Sequence, residues 1–199
     1  MELDALTQQV FDRIFVELEA SGRHVHVTKS QAQTLFGHEL TPLRELSQPG
    51  QFVARERVTV IGPKGKFENV AVLGPERPDA QVEISLSDGR VLGITPPVRM
   101  SGDVAGTPGA VLEGTAGRVT IPQGVIAAKR HIHVSEKDAK TMGVRDRQVV
   151  RLQTYTDRPV VFEDVTVRVH PSFQTRVHLD YDEANACGFQ KGDLGRILS

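Results

Sequence analysis

The segment Arg23-His24-Val25-His26-Val27-Thr28 recurs as Arg130-His131-Ile132-His133-Val134-Ser135. In a β-strand, residues i and i+2 point to the same face, so each His-x-His presents two imidazoles side by side. That arrangement is a common start of a metal site. One copy alone is equally well read as surface histidines on a strand. Two copies in matching contexts favour metal. Four of the seven histidines lie in these two segments.

The recurrence extends far beyond the histidines. At an offset of 107 residues, Arg23, His24, His26, Val27, Thr28, Ala32 and Leu35 fall on Arg130, His131, His133, Val134, Ser135, Ala139 and Met142. Further on the offset becomes 95. Phe67–Val72 then falls on Phe162–Val167, and Gln81-Val82-Glu83-Ile84-Ser85 meets Arg176-Val177-His178-Leu179-Asp180. Gly93 meets Gly188, so the first half carries 12 more residues in its middle (107 − 95).

This pattern is that of a tandem duplication. It makes Glu83 and His178 equivalent positions on equivalent strands. Alone, Glu83 reads as a solvated carboxylate and His178 as a hydrogen-bonded strand histidine. In register with the doubled His-x-His, they complete two ligand sets: His24, His26 and Glu83, then His131, His133 and His178. Three protein ligands with an open position compose a catalytic zinc site, whereas structural sites are closed by four.

The hydrophobic pattern predicts a mainly β chain: two related small β-barrels from the duplication, with short capping helices. Strands are predicted at Arg23–Thr28, Arg57–Ile61, Phe67–Leu73, Gln81–Ser85, His131–Val134, Gln148–Thr154, Val160–Val169 and Arg176–Leu179, with a strand and turn at Val119–Ile126. Gly62-Pro63-Lys64-Gly65 reads as a hairpin turn. Helices are predicted at Lys29–Gly37, Glu136–Met142 and Asp182–Cys187, closed by Gly37, Gly143 and Gly188, and Ser87–Leu92 reads as a short polar helix or turn. Residues 38–50 and Pro96–Gly117 read as loop. The expected division is 1–20 as an N-terminal amphipathic helix, 21–117 as the first repeat and 118–199 as the second. Within the first segment, Leu3, Leu6, Val10, Phe11 and Ile14 repeat at three and four, predicting a helix over 3–18. It packs on its own domain or docks a partner.

At 199 residues the chain is one large domain or two small ones. Without tryptophan, the core must be aliphatic. A formal charge of −1 argues against nucleic-acid or membrane-surface binding. The single Cys187 excludes an intramolecular disulfide and suits a reducing compartment. No stretch spans a bilayer and no secretory signal opens the chain, which points to a soluble intracellular protein.

Arginines near the ligand positions suggest a phosphate-bearing ligand, since guanidinium offers planar paired donors. Arg77 lies six residues before Glu83, and Arg168 ten before His178. Arg23 and Arg130 adjoin the His-x-His pairs but face away from the histidines, which favours ordinary surface charge for them. No Walker-type loop is present.

Taken together, the motifs SGRHVHVT, LSQPGQF, VTVIGPKGKFENVAVLGPER, QVEIS, VRMSGD, AAKRHIHVS and RVHLDYDEANACGF resemble the phosphate propanoyltransferases, the PduL-type phosphotransacylases. The resemblance covers nearly everything from Ser21 onward. It implies the reaction acyl-CoA + phosphate ⇌ acyl phosphate + CoA on propionyl-CoA or acetyl-CoA, two zinc ions and a pair of β-barrels. It also implies a first strand that joins the C-terminal barrel. By the same resemblance, His24, His26 and Glu83 hold the zinc that meets the CoA sulfur, and His131, His133 and His178 hold the other. Arg77 and Arg168 line the phosphate end, and Gln48, Gln81 and Ser101 are further polar residues of the site. Glu76-Arg77-Pro78-Asp79 departs from the family by being more acidic. Many relatives carry an N-terminal peptide that directs them into a bacterial microcompartment, a role residues 1–18 could fill toward shell or lumen proteins. The location is then cytoplasmic or microcompartment lumen, and a homo-oligomer is compatible.

Direct attack of phosphate on the thioester is the expected mechanism. Ser101 or metal polarises the carbonyl, and Cys187 is a poor acyl carrier because no base adjoins it in sequence. A di-zinc hydrolase of thioesters or amides shares the ligands but needs no phosphate. A non-catalytic, zinc-stabilised microcompartment assembly protein is the alternative from another class. A cupin-type oxygenase is disfavoured because the first acid after His26 is Glu39.

Overall fold

The computed structural model describes Thr7, Phe11 and residues 14–198. In chain order the elements are β1 (Phe15–Ser21), β2 (His24–His26), α1 (Lys29–Phe36), β3 (Pro42–Glu45), β4 (Phe52–Ile61), β5 (Lys66–Gly74) and β6 (Gln81–Glu83). Then come α2 (Leu86–Leu92), β7 (Val98–Arg99), β8 (Ala110–Glu113), β9 (Arg118–Ile121) and β10 (Val125–Ala128). The chain continues with β11 (His131–Val134), α3 (Glu136–Met142), β12 (Val149–Tyr155), β13 (Val161–Val169), β14 (Arg176–Asp180), α4 (Tyr181–Cys187) and β15 (Leu194–Leu198). It is mainly β, as the alternating pattern predicts.

Two compact units result. One comprises Gly22–Lys129, the other Met1–Ser21 with Arg130–Ser199. The division therefore falls at Lys129/Arg130, beyond β9 and β10, and not at 117/118. The first, here the sheet unit, is one sheet in the order β7-β10-β6-β2-β5-β4-β8-β9, with β3 paired to β4. The second, the barrel unit, closes six strands in the order β1-β14-β11-β13-β12-β15.

Local sequence explains most elements. Thr28, Ser85, Ser135 and Asp180 cap α1, α2, α3 and α4, each accepting a hydrogen bond from the backbone N–H three residues on. Gly37, Gly93, Gly143 and Gly188 end them in the left-handed conformation, which only glycine adopts without steric cost. Gly62, in the turn between β4 and β5, is required for a different reason: a Cβ there would sit 2.3 Å from the Leu92 carbonyl oxygen.

Each unit has its own aliphatic core. Val25 and Val27 lie in the first, Ile132 and Val134 in the second, all fully buried. Each such side chain contributes roughly 1.5–3 kcal/mol relative to exposure. Because strand residues alternate, these valines and isoleucine fix the histidines between them on the opposite face.

Three expectations need correction. The helix over 3–18 ends by Ile14, because Phe15–Ser21 is β1, a barrel strand. Val16 and Leu18 are buried and their neighbours are not, a period of two that the helical spacing masked. Thr7, Phe11 and Ile14 are helical, and the rest of 1–13 lies outside the described residues. The loops predicted at 38–50 and 96–117 contain strands β3, β7 and β8. Pro42 and the Gly/Pro-rich flanks conceal short pairing segments whose partners lie elsewhere in the chain.

Candidate metal centres

The two His-x-His strands are built alike. β2 pairs parallel with β5 and antiparallel with β6, placing His24 opposite Ala71 and Glu83, and His26 opposite Gln81. β11 pairs parallel with β13 and antiparallel with β14, placing His131 opposite Thr166 and His178, and His133 opposite Arg168 and Arg176. Directly opposed residues share a face of the sheet. The 95-residue offset read from sequence therefore recovers the three-dimensional register position by position.

Each strand is braced by the same device. The Arg23 guanidinium forks onto Asp88, Nε to Oδ2 at 3.0 Å and NH2 to Oδ1 at 2.7 Å. Its Cζ lies 4.2 Å from the centre of the Phe67 ring. In the barrel unit, Arg130 donates to Glu183 at 2.6 Å and to the Glu163 carbonyl at 2.7 Å, with Phe162 beneath it at 5.6 Å. Arg23 and Arg130 are thus structural clamps, each on its own ion pair. Sequence reading found the residues but not their acidic partners, which the offset of 95 links as Asp88 and Glu183.

In the sheet unit, ligand atoms of His24, His26 and Glu83 all lie within 4.8 Å of one another, and all three residues are buried. The Nδ1 atoms of His24 and His26 lie 2.8 Å from the Gly22 carbonyl and 3.2 Å from the Leu73 carbonyl. An Nδ1 proton given to a carbonyl leaves Nε2 as the lone-pair donor, the arrangement typical of metal-bound histidine. His24 Nε2 lies 3.6 Å from Glu83 Oε2.

A polar network backs the carboxylate. Gln81 donates from Nε2 to Glu83 and, at 3.0 Å, to the Ser101 hydroxyl, while its Oε1 accepts from the Gly102 amide at 2.7 Å. Arg77 NH1 also donates to Ser101, at 3.3 Å. Ser101 in turn hydrogen-bonds Glu83. Sequence reading had selected Gln81, Ser101 and Arg77, and the structure brings them together behind Glu83; it had not selected Gly102. Gln48 is buried in the turn between β3 and β4, where its carbonyl accepts from the Gln51 amide at 3.1 Å.

Charges within the cluster are strongly coupled. Burial works against ionisation of Glu83, but His24, then His26 and the Ser101 hydrogen bond, hold its carboxyl well below the usual range. Burial likewise opposes protonation of His24, yet facing Glu83 raises its pKa. Burial, then the charges of His24 and Arg77, push His26 well down, so it stays a neutral donor.

In the barrel unit, ligand atoms of His131, His133 and His178 lie within 4.8 Å of one another. His131 stacks on His178 with ring centres 5.0 Å apart, and His133 Nδ1 lies 3.1 Å from His178 Nε2. Phe173, which sequence reading missed, packs on His133 at 4.2 Å. Arg168 lies beside that ring, its Cζ 5.8 Å from the Phe173 centre. Arg176 NH2 pairs with Glu17 of β1 at 3.0 Å.

Both sets fit a borderline-soft dication such as Zn2+, which takes imidazole and carboxylate donors in three-ligand open sites. Cys187 belongs to neither. It is fully buried in the barrel core, its Sγ 3.4 Å from the Ala184 carbonyl, and burial pushes its thiol pKa up.

Comparison with known proteins identifies the family. A family model described as phosphate propanoyltransferase matches residues 17–190. A phosphate propanoyltransferase of Enterococcus faecalis is 53% identical over 184 residues, 92% of this chain and 87% of that one. That of Listeria monocytogenes is 49% identical over 198 residues, covering 98% and 93%. That of Clostridioides difficile is 46% identical over 202 residues, covering 98% and 97%. The described residues include no helix long and apolar enough to cross a membrane. By the span of its matches from β1 to the end of α4, this chain belongs to the phosphate propanoyltransferase family.

Proposed function

We propose that the protein interconverts acyl-CoA plus phosphate and acyl phosphate plus CoA, with propionyl-CoA or acetyl-CoA as acyl donor. Zn2+ would be held by His24, His26 and Glu83 in one unit and by His131, His133 and His178 in the other. The observation that carries this is the doubled three-donor cluster, at equivalent register in a chain of this family. Bound Zn2+ supplies Lewis acidity and lowers the pKa of a ligated thiol.

The chain's own residues supply the rest. Arg77 in the sheet unit and Arg168 in the barrel unit are the phosphate-binding groups, each offering planar paired donors that orient a phosphate oxygen for attack on the thioester carbon. The C–O bond forms as the C–S bond breaks, and CoA leaves as thiolate. Gln81 and Ser101 fix the orientation of Glu83 and leave Arg77 anchored through the Ser101 hydroxyl. Preorganised donors of this kind act without reorganisation at the moment of reaction. Gln48 is a further polar residue of the site. The burial of Cys187 supports direct transfer without an acyl-enzyme. A docking role for residues 1–18 toward microcompartment proteins narrows to the residues before β1, since Phe15–Ser21 are hydrogen-bonded into the barrel.

The test is thiol release from acetyl-CoA and propionyl-CoA, with and without phosphate, before and after chelation. Phosphate-dependent release, abolished by the chelator and restored by Zn2+, is expected. Release independent of phosphate would mark a thioester hydrolase. No release from metal-loaded protein would mark an assembly protein.

A further inference from the structure

Each unit carries a loop of equal length between its long strand and its third-ligand strand: residues 75–80 between β5 and β6, and residues 170–175 between β13 and β14. Both are fastened to the residue that follows the second histidine. The Arg77 amide donates to the Val27 carbonyl at 2.9 Å, and the His170 amide to the Val134 carbonyl at 3.2 Å. The second loop is tied at its far end as well. The Thr175 hydroxyl donates to Asp138 and accepts from the Ser135 amide at 3.1 Å. Its turn is closed by the Phe173 amide on the His170 carbonyl at 3.1 Å.

The two loops deliver different groups. The first presents Arg77. The second presents Phe173, at the position that Pro78 occupies in the first. Phe173 is half-buried and stands outside the aliphatic core of the barrel. Its ring lies 4.2 Å from His133, 5.2 Å from His170 and 5.8 Å from the Arg168 Cζ. Core packing therefore does not explain it; its partners are a ligand-set histidine and the arginine paired opposite that histidine across β11 and β13.

We propose that Phe173 is a positioning residue of the barrel-unit centre, holding the His133 ring and the Arg168 guanidinium in one geometry. This rests on the reading of Arg168 as a phosphate-binding group. An aromatic face attracts the guanidinium electrostatically, so it directs the cation at no cost in charge. The same ring limits rotation of the His133 imidazole, which a mobile ligand would otherwise lose on binding metal. Because the loop is tied at both ends, the ring is held by the backbone and not by solvent.

The test compares Phe173→Leu and Phe173→Met, which keep apolar bulk, with Phe173→Tyr, which keeps the aromatic face. Each is made in the metal-loaded full chain, alone and with Arg168→Ala. Phe173→Leu is expected to raise the KM for phosphate by about threefold to thirtyfold, the range a cation–π contact carries. The KM for acyl-CoA stays unchanged. One of the two zinc ions is expected to pass faster to a colorimetric chelator. Phe173→Tyr restores both readouts, and with Arg168→Ala present Phe173→Leu adds nothing further to the phosphate KM. Equal behaviour of the Leu, Met and Tyr variants would assign Phe173 to packing alone and overturn the proposal, as would unchanged zinc release from Phe173→Leu. Absence of phosphate-dependent transfer in the unaltered protein instead overturns the functional reading, and the chelator measurement then decides the His133 contact on its own.

Discussion

At the third position of each candidate donor cluster the sheet unit has Glu83 and the barrel unit has His178, on strands that run alike beside equivalent two-histidine strands. The residues flanking the second histidine differ in the same direction. His26 is opposite the neutral Gln81, whereas His133 lies between Arg168 and Arg176. A dication bound by His24, His26 and Glu83 would have one of its charges cancelled by the carboxylate. Bound by three neutral imidazoles, it would keep both, and the Arg168 guanidinium would stand nearby, Arg176 being paired with Glu17. Duplication has kept the backbone and let the local charge diverge. The units are thus chemically distinct halves, not redundant copies, and the more electropositive barrel centre is the better match for an anionic oxygen.

The largest test of that distinction removes one ligand from each. His26→Ala and His133→Ala should each halve the metal content of the chain, measured by elemental analysis. Each should lower phosphate-dependent thiol release by more than about a hundredfold, since loss of a mere supporting contact to a metal ligand already costs 10–100-fold. Retention of near-full turnover by either variant would show that its centre is not needed for transfer.

The clamps should rank next. Arg23 forks onto a buried carboxylate, and Arg130 makes one bond to a more exposed one. Arg23→Met should cost about 2 kcal/mol and Arg130→Met about 1 kcal/mol by urea denaturation, because the first strands a buried acceptor. Equal losses would mean that the aromatic ring beneath each arginine matters more than the acid.

A pH difference separates the helix caps. Burial, reinforced by the charges of Glu183 and Asp182, raises the Asp180 carboxyl from 3.8 to about 6. The folded pKa is above the unfolded one, so this contribution to stability is complete below about 3.8 and is lost as pH rises through about 6. Asp180→Asn keeps the cap and removes that loss. It should stabilise the protein by about 1 kcal/mol above pH 7 after allowance for solvent screening, and by nothing near pH 4. Ser85, the uncharged equivalent in the sheet unit, should show no such pH dependence when replaced by Asn.

The smallest effect is expected at Asn69 and Asp164, equivalent strand residues with φ of 58° and 54°. Asn69→Gly and Asp164→Gly should each add up to about 0.5 kcal/mol in thermal or urea unfolding, since glycine enters the left-handed region without a Cβ penalty. Opposite signs at the two positions would show that the repeats are strained differently there.

Much of the site was legible before any coordinate. The equivalence of Glu83 and His178 followed from the alignment of QVEIS with RVHLD, and the strand register bears it out. The helix-closing Gly37, Gly143 and Gly188 were equally plain, because each acts within four residues of its own position. Phe173 was not legible. Its value lies in packing against His133 on another strand, and Phe173 has Pro78 as its counterpart, so the repeat gives no hint of it. Gly102 was hidden similarly, since a backbone amide leaves no mark in side-chain patterns.

The sequence by itself determined that the chain is a doubled unit, which residues gather in each three-donor cluster and where the helices that follow the two His-x-His strands begin and end. Hydrophobic alternation, capping and spacing are local, and they act on the same residues that display them. The family resemblance implied that the first strand joins the C-terminal barrel, but only the tertiary structure decided that the strand preceding the second His-x-His adds in turn to the other unit. β1 precedes the first pair but adds to β14, with Leu18 opposite Val177. β10 precedes the second pair but adds to β6, with Val125 opposite Val82. The 107-residue offset carries Leu18 to Val125, and the 95-residue offset carries Val82 to Val177, so the repeats have exchanged equivalent strands. Both acceptor strands offer the same backbone ladder in the same register, and main-chain hydrogen bonds carry no label for the repeat they came from. The choice therefore rests on long-range closure of the chain, which no local pattern records.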